Sequence, residues 1–406
     1  DELAELSSRE EVEKLPHIHR PYIDNIKIRC PKCGSSVTRI PDVGDCWLDA
    51  GIVPFSTNKY FTYKEFFKKN FPAEVVIEMR EQIRLWFYSL LFMSVVMEDC
   101  APYKKVIGHE AIVQEDGSKF SKSGFMITFD EFSSKMGADT ARYMFAGTPL
   151  ASQVRFSYNL GEEARRRLLG FWNAYTFYVT YALIDRPELD CFVPNEQDLT
   201  ATDKWLIQLT NKFIKDSYDN YNINNAYQVV SDFDKYVDEL TNFYIRTNRR
   251  RFWKSEDEKD KLSAYYCLYH AIKAVATVMA PVIPFMCEHI WQNMVRSTEK
   301  SEAESVMLTS YPGKIMDKNF EEYLHYTDIA QTVINLGMRL RNENDIKVKT
   351  PLLKAYVISD DKDTLEAIKL YNGLIRDELN IKDIEISDSI TRFNDYYLAV
   401  DFKSAG

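Results

Sequence analysis

Apolar positions recur in two rhythms along the chain, and the change between them divides it. In the first part, short apolar runs alternate with turns. Residues 21–28 alternate in part as a strand does, residues 73–77 form a β-branched run suited to a buried strand, and residues 103–108 offer another. Residues 82–96 are apolar enough for a well-buried helix, residues 41–55 read as a loop, and residues 129–145 read as two short helices joined by a turn. After about Arg155 the spacing shifts to threes and fours. Leu168, Phe171, Tyr175, Tyr178 and Ala182 form one stripe; Ala226, Val230, Phe233, Val237, Leu240 and Tyr244 a second; Tyr265, Leu268, Ile272, Val275 and Met279 a third. Each is the buried face of an amphipathic helix, and together they predict a bundle. Pro281 and Pro284 interrupt the third helix, which resumes over 285–295. A polar linker covers 296–304, and 328–341 is one more helix. Residues 355–358 and 381–386 read as strands around a helix over 363–370. The expected fold is α/β, then an all-α helical bundle, then a small C-terminal α/β unit, divided as 1–155, 156–327 and 328–406.

A chain of 406 residues, 45% of them hydrophobic, has room for two to three cores. The net charge of −10 carries no general nucleic-acid signal, so any RNA contact must come from a local basic face. Seven scattered cysteines argue against a disulfide framework and for a reducing, cytoplasmic setting. No apolar run is long enough to cross a bilayer, and the first residues lack a secretory pattern. The chain begins at Asp1 without a methionine, which suggests an excised piece of something longer.

Four stretches carry candidate chemistry. Asp116-Gly-Ser-Lys-Phe-Ser-Lys-Ser-Gly124 holds Lys119 and Lys122 with three serines between flanking glycines, a composition that suits a mobile loop gripping phosphate oxygens, or a solvated turn. Cys30-Pro-Lys-Cys33-Gly34 reads as a knuckle and is half of a zinc site, with Cys46 as a possible third donor. Arg249, Arg250, Arg251 and Lys254 surround Phe252 and Trp253, which suits phosphate contact and base stacking, or equally a solvated helix end balanced by Glu256, Asp257 and Glu258. Arg165, Arg166 and Arg167 form a second cluster that fits RNA or solvent equally well.

The core Lys119-Phe120-Ser121-Lys122-Ser123 resembles the KMSKS loop of class I aminoacyl-tRNA synthetases, with Phe120 in the methionine's place. Residues 78–87 resemble the E-G-x-D-Q-x-R-G-W-F segment of the isoleucyl branch of that family. Glu78, Gln82, Arg84, Trp86 and Phe87 match; Met79 and Leu85 replace glycines and Glu81 replaces aspartate. Residues 42–51 are similar to the D-V-W-F-D-S-G segment, and residues 243–254 to the S-R-R-R-F-W-K segment of the anticodon-binding domain. Residues 346–352 and 378–382 are similar to the region after the bundle. These matches cover most of the chain in the family's order. The H-I-G-H signature is missing, since His17-Ile18-His19-Arg20 lacks its glycine and final histidine, and so is an editing insertion.

The resemblance implies a partial Rossmann-like nucleotide fold that forms the C-terminal piece of a longer synthetase. It implies ligation of isoleucine to tRNA(Ile) through isoleucyl-adenylate, using ATP with Mg²⁺ carried on its phosphates and Zn²⁺ as a candidate at Cys30 and Cys33. Lys119 and Lys122 would neutralise charge on the leaving pyrophosphate, helped by Ser121 and Ser123. Glu78 would hold the substrate ammonium, Glu81 the ribose, Gln82 the ribose and amino-acid end, and Trp86 would line the side-chain pocket. The tRNA would meet Arg249, Arg250, Arg251, Trp253 and Lys254. The expected form is a monomer without a membrane, and the piece alone is expected to be inactive. The other readings are a valyl or leucyl enzyme, or a non-catalytic tRNA-binding paralogue.

Overall fold

The computed structural model describes residues 5, 7–42, 46–121, 126–189, 192–254 and 257–387. The chain forms two compact units, Asp1–Ala111 and Ile112–Gly406.

In the first unit, α1 (Arg9–Glu13) precedes an antiparallel pair, β1 (Lys27–Arg29) and β2 (Ser36–Thr38), with Ile28 opposite Val37. The knuckle joins them: the Cys30 amide donates to the Ser35 carbonyl and the Gly34 amide to the Cys30 carbonyl, with Gly34 at φ +73°. That left-handed conformation is open to glycine at no steric cost. The strand expected over 21–28 shrinks to β1. Residues Tyr22–Asn25 wind into a 3₁₀ turn instead, with Arg20 and Arg39 both bonded to the Asp24 carboxylate. The loop expected over 41–55 is helical where described, as α2 (Cys46–Gly51) and α3 (Val53–Thr57), the latter begun by Pro54 in its first turn. Next come α4 (Lys64–Asn70), β3 (Ala73–Met79), a 3₁₀ turn (Arg80–Arg84), α5 (Trp86–Glu98) and β4 (Tyr103–His109). β3 and β4 run parallel, with Val76 beside Val106 and Glu78 beside Gly108. This is one βαβ unit. Phe55, Tyr60 and Phe67 form its small aromatic core.

Two burial expectations fail here. The helix read over 82–96 breaks at Leu85 (φ −122°, ψ −104°), and α5 buries only Phe87, Ser89, Leu90 and Ser94. Val96 is 66% exposed on α5 and Ile77 54% exposed on β3. A segment apolar on every side gives no sign of which side is covered. α2 packs closely on α5: a Cβ at Gly51 would lie 2.8 Å from the Ser89 carbonyl oxygen. We expect Gly51→Ala to force these helices apart at a cost of about 1–3 kcal/mol, as overpacking does. Faster hydrogen exchange at α5 amides would show it; unchanged exchange would mean that the contact gives way freely.

The second unit opens with β5 (Ile112–Val113), then α6 (Phe129–Met136) and α7 (Ala138–Ala146), then β6 (Val154–Arg155), which pairs parallel with β5. The bundle follows: α8 (Tyr158–Asp185), α9 (Ala201–Asn222), α10 (Ala226–Asp238), a π-helical stretch (Glu239–Ile245), α11 (Arg246–Trp253), α12 (Glu258–Met279) and α13 (Pro284–Ile290). Its starts are capped as the sequence allows. Ser157 accepts from the Leu160 amide, Asp257 from the Lys259 and Asp260 amides, and Thr200 and Asp203 form a reciprocal capping box. The three stripes meet in one core in which Phe171, Phe233, Leu240, Tyr244, Tyr265, Leu268, Ile272 and Val275 are fully buried. From α7, the Arg142 guanidinium donates to the Pro281 and Val282 carbonyls, and Asp139 accepts from the Phe285 and Met286 amides at the start of α13.

The last part is α14 (Glu321–Glu343), β7 (Leu352–Ile358), α15 (Lys362–Leu370), α16 (Asn372–Leu379) and β8 (Ile381–Ser387), with β7 and β8 parallel. α14 starts earlier than expected because its polar first turns still find partners: Thr327 is buried and bonded to the Tyr371 hydroxyl. Buried Arg341 holds this part together, donating to the carbonyls of Lys347, Thr350, Leu379 and Asn380.

Candidate functional site

The lysine loop leaves β5 as a tight hairpin. The Gln114 amide donates to the Ser118 carbonyl, Gly117 turns at φ +90°, and Lys119 bridges back to Val113. The Ser118 amide and hydroxyl, with Arg155 farther off, hold the Asp116 carboxyl below its ordinary range. Phe120 packs onto the Phe132–Ala141–Phe156 cluster, so the residue that departs from the family motif anchors the loop. Lys119 and Ser121 are exposed beyond it. Lys122 and Ser123 lie outside the described residues. Two residues not singled out in the sequence hold the hairpin from behind: Arg155 donates to the Glu115 carbonyl (2.6 Å), and the Asn159 amide to the Glu115 carboxylate (3.3 Å). Their only sequence signal is a position at the end of β6 and the start of α8.

The second group of site residues sits in the first unit, at the carboxyl end of β3, where open parallel sheets bind ligands. Glu78 is half-buried and its carboxylate accepts from the Met79 amide. Glu81 is exposed. The Gln82 side-chain carbonyl accepts from the Trp86 amide, and the Trp86 indole donates to the Ala50 carbonyl, tying α5 to α2. Arg80 pairs with Glu110 at 3.0 Å on the same edge.

The basic–aromatic run on α11 divides into two faces. Arg249, Arg250, Trp253 and Lys254 point outward; Trp253 is 51% exposed, with the Lys254 ammonium 5.9 Å from its ring. Arg251 turns inward, which corrects its expected place among the RNA contacts. It pairs with Asp203 at 2.8 Å and Asp260 at 2.8 Å, and also donates to the Asn248 side chain. Although burial alone would raise it, Arg251 holds the Asp203 carboxyl below the usual range, with help from Tyr244 and Thr200. Phe252 is fully buried between Phe177 and Tyr265. Of the second cluster, Arg167 is taken up by Asp234 and Glu163, and Arg165 lies near Glu162.

The knuckle does not make a zinc site with the described residues. Among them, no group of three or more His, Cys, Asp or Glu side chains can hold a metal ion, so Cys46 does not join Cys30 and Cys33. Zinc takes four donors and the knuckle offers two. The Ser35 hydroxyl and amide, with Cys30, lower the Cys33 thiol's pKa, and its sulfur lies 2.9 Å from the Ser35 oxygen.

Comparison with known proteins places this geometry. Residues 2–157 match the family described as tRNA synthetases class I (I, L, M and V), and residues 203–357 match the anticodon-binding domain of tRNA ligase. The chain belongs to the class I aminoacyl-tRNA synthetases. Its sequence relatives include isoleucine–tRNA ligases. The Clostridium novyi enzyme is 38% identical over 93% of this chain and 36% of its own length, and that of Thermus thermophilus is 34% identical over 96% and 38%. The chain thus spans little more than a third of the curated relatives it matches. Among solved structures it is similar to Agrobacterium radiobacter K84 LeuRS in its ternary complex with tRNA and LeuAMS (TM-score 0.56, 14% identity, 90% of this chain and 44% of that one). It is also similar to Mycobacterium tuberculosis methionyl-tRNA synthetase with methionyl-adenylate (TM-score 0.53, 15% identity, 70% and 58%). At these identities the two structures speak for the fold. No described helix is long and apolar enough to cross a membrane.

Proposed function

We propose that this chain is the lysine-loop half of the nucleotide site and the anticodon-binding part of an isoleucine–tRNA ligase, a monomer working in the cytoplasm. The supporting observation is its similarity to isoleucine–tRNA ligases, carried in order along more than nine-tenths of the chain. In the reaction, the isoleucine carboxylate attacks the α-phosphorus of ATP, a bond forms between them, and pyrophosphate leaves. The aminoacyl group then passes to the 3′ end of tRNA(Ile). Lys119 and Lys122 meet charge developing on the departing phosphates, and Ser121 and Ser123 add hydrogen bonds; fixed charges aimed at a transition state act strongly because they need little reorganisation. Glu78 takes the substrate ammonium, Glu81 and Gln82 the ribose side, and Trp86 the edge of the amino-acid pocket. Mg²⁺ comes in on the ATP phosphates.

The RNA part of this reading can be tested on the 406-residue chain itself. It should bind tRNA bearing an isoleucine anticodon, with affinity falling as salt rises, at about −0.7 in log–log slope per single-strand phosphate neutralised. Replacing Arg249, Arg250 and Lys254 together by alanine should flatten that slope by about 2. Trp253→Ala should cost about 1–3 kcal/mol of binding if a base stacks on its ring. A slope and affinity indifferent to all four substitutions would show the α11 face to be merely solvated.

A further inference from the structure

Two thiols meet in the knuckle between β1 and β2. The Gly34 amide donates to the Cys30 carbonyl (2.8 Å), which closes a single helical turn over residues 30–34. In such a turn residues three apart face the same way, as they do on a helix surface. The Cys30 amide donates to the Ser35 carbonyl (2.9 Å) and Ile28 lies opposite Val37, so the two strands fix the ends of the turn. Cys30 and Cys33 are held side by side, and the Cys30 thiol is a hydrogen-bond partner of the Cys33 sulfur. Both thiols are free.

Cys33 is placed to be the attacking member. It is exposed, its sulfur lies 2.9 Å from the Ser35 hydroxyl oxygen, and the Ser35 amide donates to it as well. Hydrogen bonds to a sulfur favour the thiolate, which is the nucleophile of thiol chemistry. Cys30 is half-buried and walls a cavity of about 780 Å³ beside Lys27 and Arg29, so a small reagent reaches it too. No other described thiol is built this way. Cys46 and Cys100 are exposed but have no cysteine three residues away. Cys267 and Cys287 are buried, which raises the pKa of their thiols and leaves them inert. Among the described residues no further donor completes a metal site around the pair.

We propose that Cys30 and Cys33 are a redox modification site, a dithiol that hydrogen peroxide closes to a disulfide and a dithiol reductant reopens. In the first step the Cys33 thiolate attacks one peroxide oxygen. An S–O bond forms, the O–O bond breaks, and hydroxide leaves and takes up a proton from solvent, so that Cys33 becomes a sulfenic acid. In the second step the Cys30 sulfur attacks that of Cys33. An S–S bond forms, the S–O bond breaks, and the oxygen leaves as water with the Cys30 proton. The two thiols lose two electrons and two protons, and the peroxide is reduced to two waters. In a reducing compartment such disulfides are transient and redox-sensing. The chemistry needs neither nucleotide nor RNA, so it stands or falls apart from the ligase reading.

The test uses the full chain, reduced and freed of metal with a chelator, then exposed to rising hydrogen peroxide. Remaining thiols are blocked with N-ethylmaleimide, and the chain is cut after acidic residues, which leaves Cys30 and Cys33 on one peptide. In mass spectra that peptide should lose two hydrogens and both maleimides while Cys46 and Cys100 still take theirs, and dithiothreitol should restore both. In Cys30→Ser the reaction should stop at a Cys33 sulfenic acid that dimedone traps. In Cys33→Ser, Cys30 should oxidise no faster than Cys46. The proposal is overturned if, in the unaltered chain, both cysteines still take maleimide once Cys46 and Cys100 have been oxidised. It is equally overturned if Cys33 runs on to sulfinic acid beside a reduced Cys30, or if the disulfide joins two chains.

Discussion

Lys122→Ala, in an isoleucine ligase containing this chain, is expected to lower the adenylation rate by about 10²–10³-fold, the loss typical of one transition-state donor. The KM for isoleucine should barely move, because the contact strengthens as charge builds on pyrophosphate and contributes little to ground-state binding. Lys119→Ala should behave alike. The structure adds a contrast within the loop. Phe120 is docked in the Phe132–Phe156 cluster and Arg155 holds the Glu115 carbonyl, so these residues position the hairpin. Single-turnover kinetics would separate the two kinds. Rates within a few-fold of the unaltered enzyme for both lysines would reduce the loop to a structural turn.

The second large effect is on stability. Arg251→Ala should destabilise the second unit by about 3–5 kcal/mol, the cost of leaving a buried charge without its partner. Asp203 is fully buried, and losing Arg251 leaves its carboxylate only the Tyr244 and Thr200 hydroxyls and the Thr200 amide. The Arg251 Nε is itself buried without an acceptor, which places the loss toward the lower end of that range. The pH dependence follows from the same pair. A carboxyl whose folded pKa is depressed contributes stability above its unfolded value of about 3.9, and loses that contribution as pH falls through the folded value. His270 has the same sign at milder pH: it is neutral in the fold down to about 4 but protonates below 6.5 when unfolded, so stability falls as pH drops across that interval. Urea unfolding from pH 7 to pH 3 should show both, with the steepest loss at the acid end removed in Asp203→Asn. A flat profile, or an Arg251→Ala variant as stable as the parent, would contradict this account of the network.

The difference between the two faces of α11 shows what a sequence can and cannot convey. Arg249, Arg250 and Arg251 are chemically identical and adjacent, and a run of charge has no direction until the helix carrying it is placed. Asp203, the residue that draws Arg251 inward, lies in a capping box 48 residues earlier, and nothing local joins the two. The bundle was legible because its stripes at threes and fours are long and their polar faces distinct. α5 was legible as a helix and misleading as a buried one, since an apolar residue at every turn does not say which side will meet a partner. The hairpin's supports, Arg155 and Asn159, were invisible for the opposite reason: their contacts are single hydrogen bonds across 40 and 44 residues. Cys30 and Cys33 marked a turn that the structure shows, while spacing alone does not say what faces the knuckle.

Amino-acid-dependent exchange of pyrophosphate into ATP by the ligase containing this chain tests the central claim most directly. Isoleucine should drive the exchange well above valine, leucine and methionine, and Lys122→Ala should suppress it. Exchange driven best by another of these amino acids, or by none, would contradict the assignment.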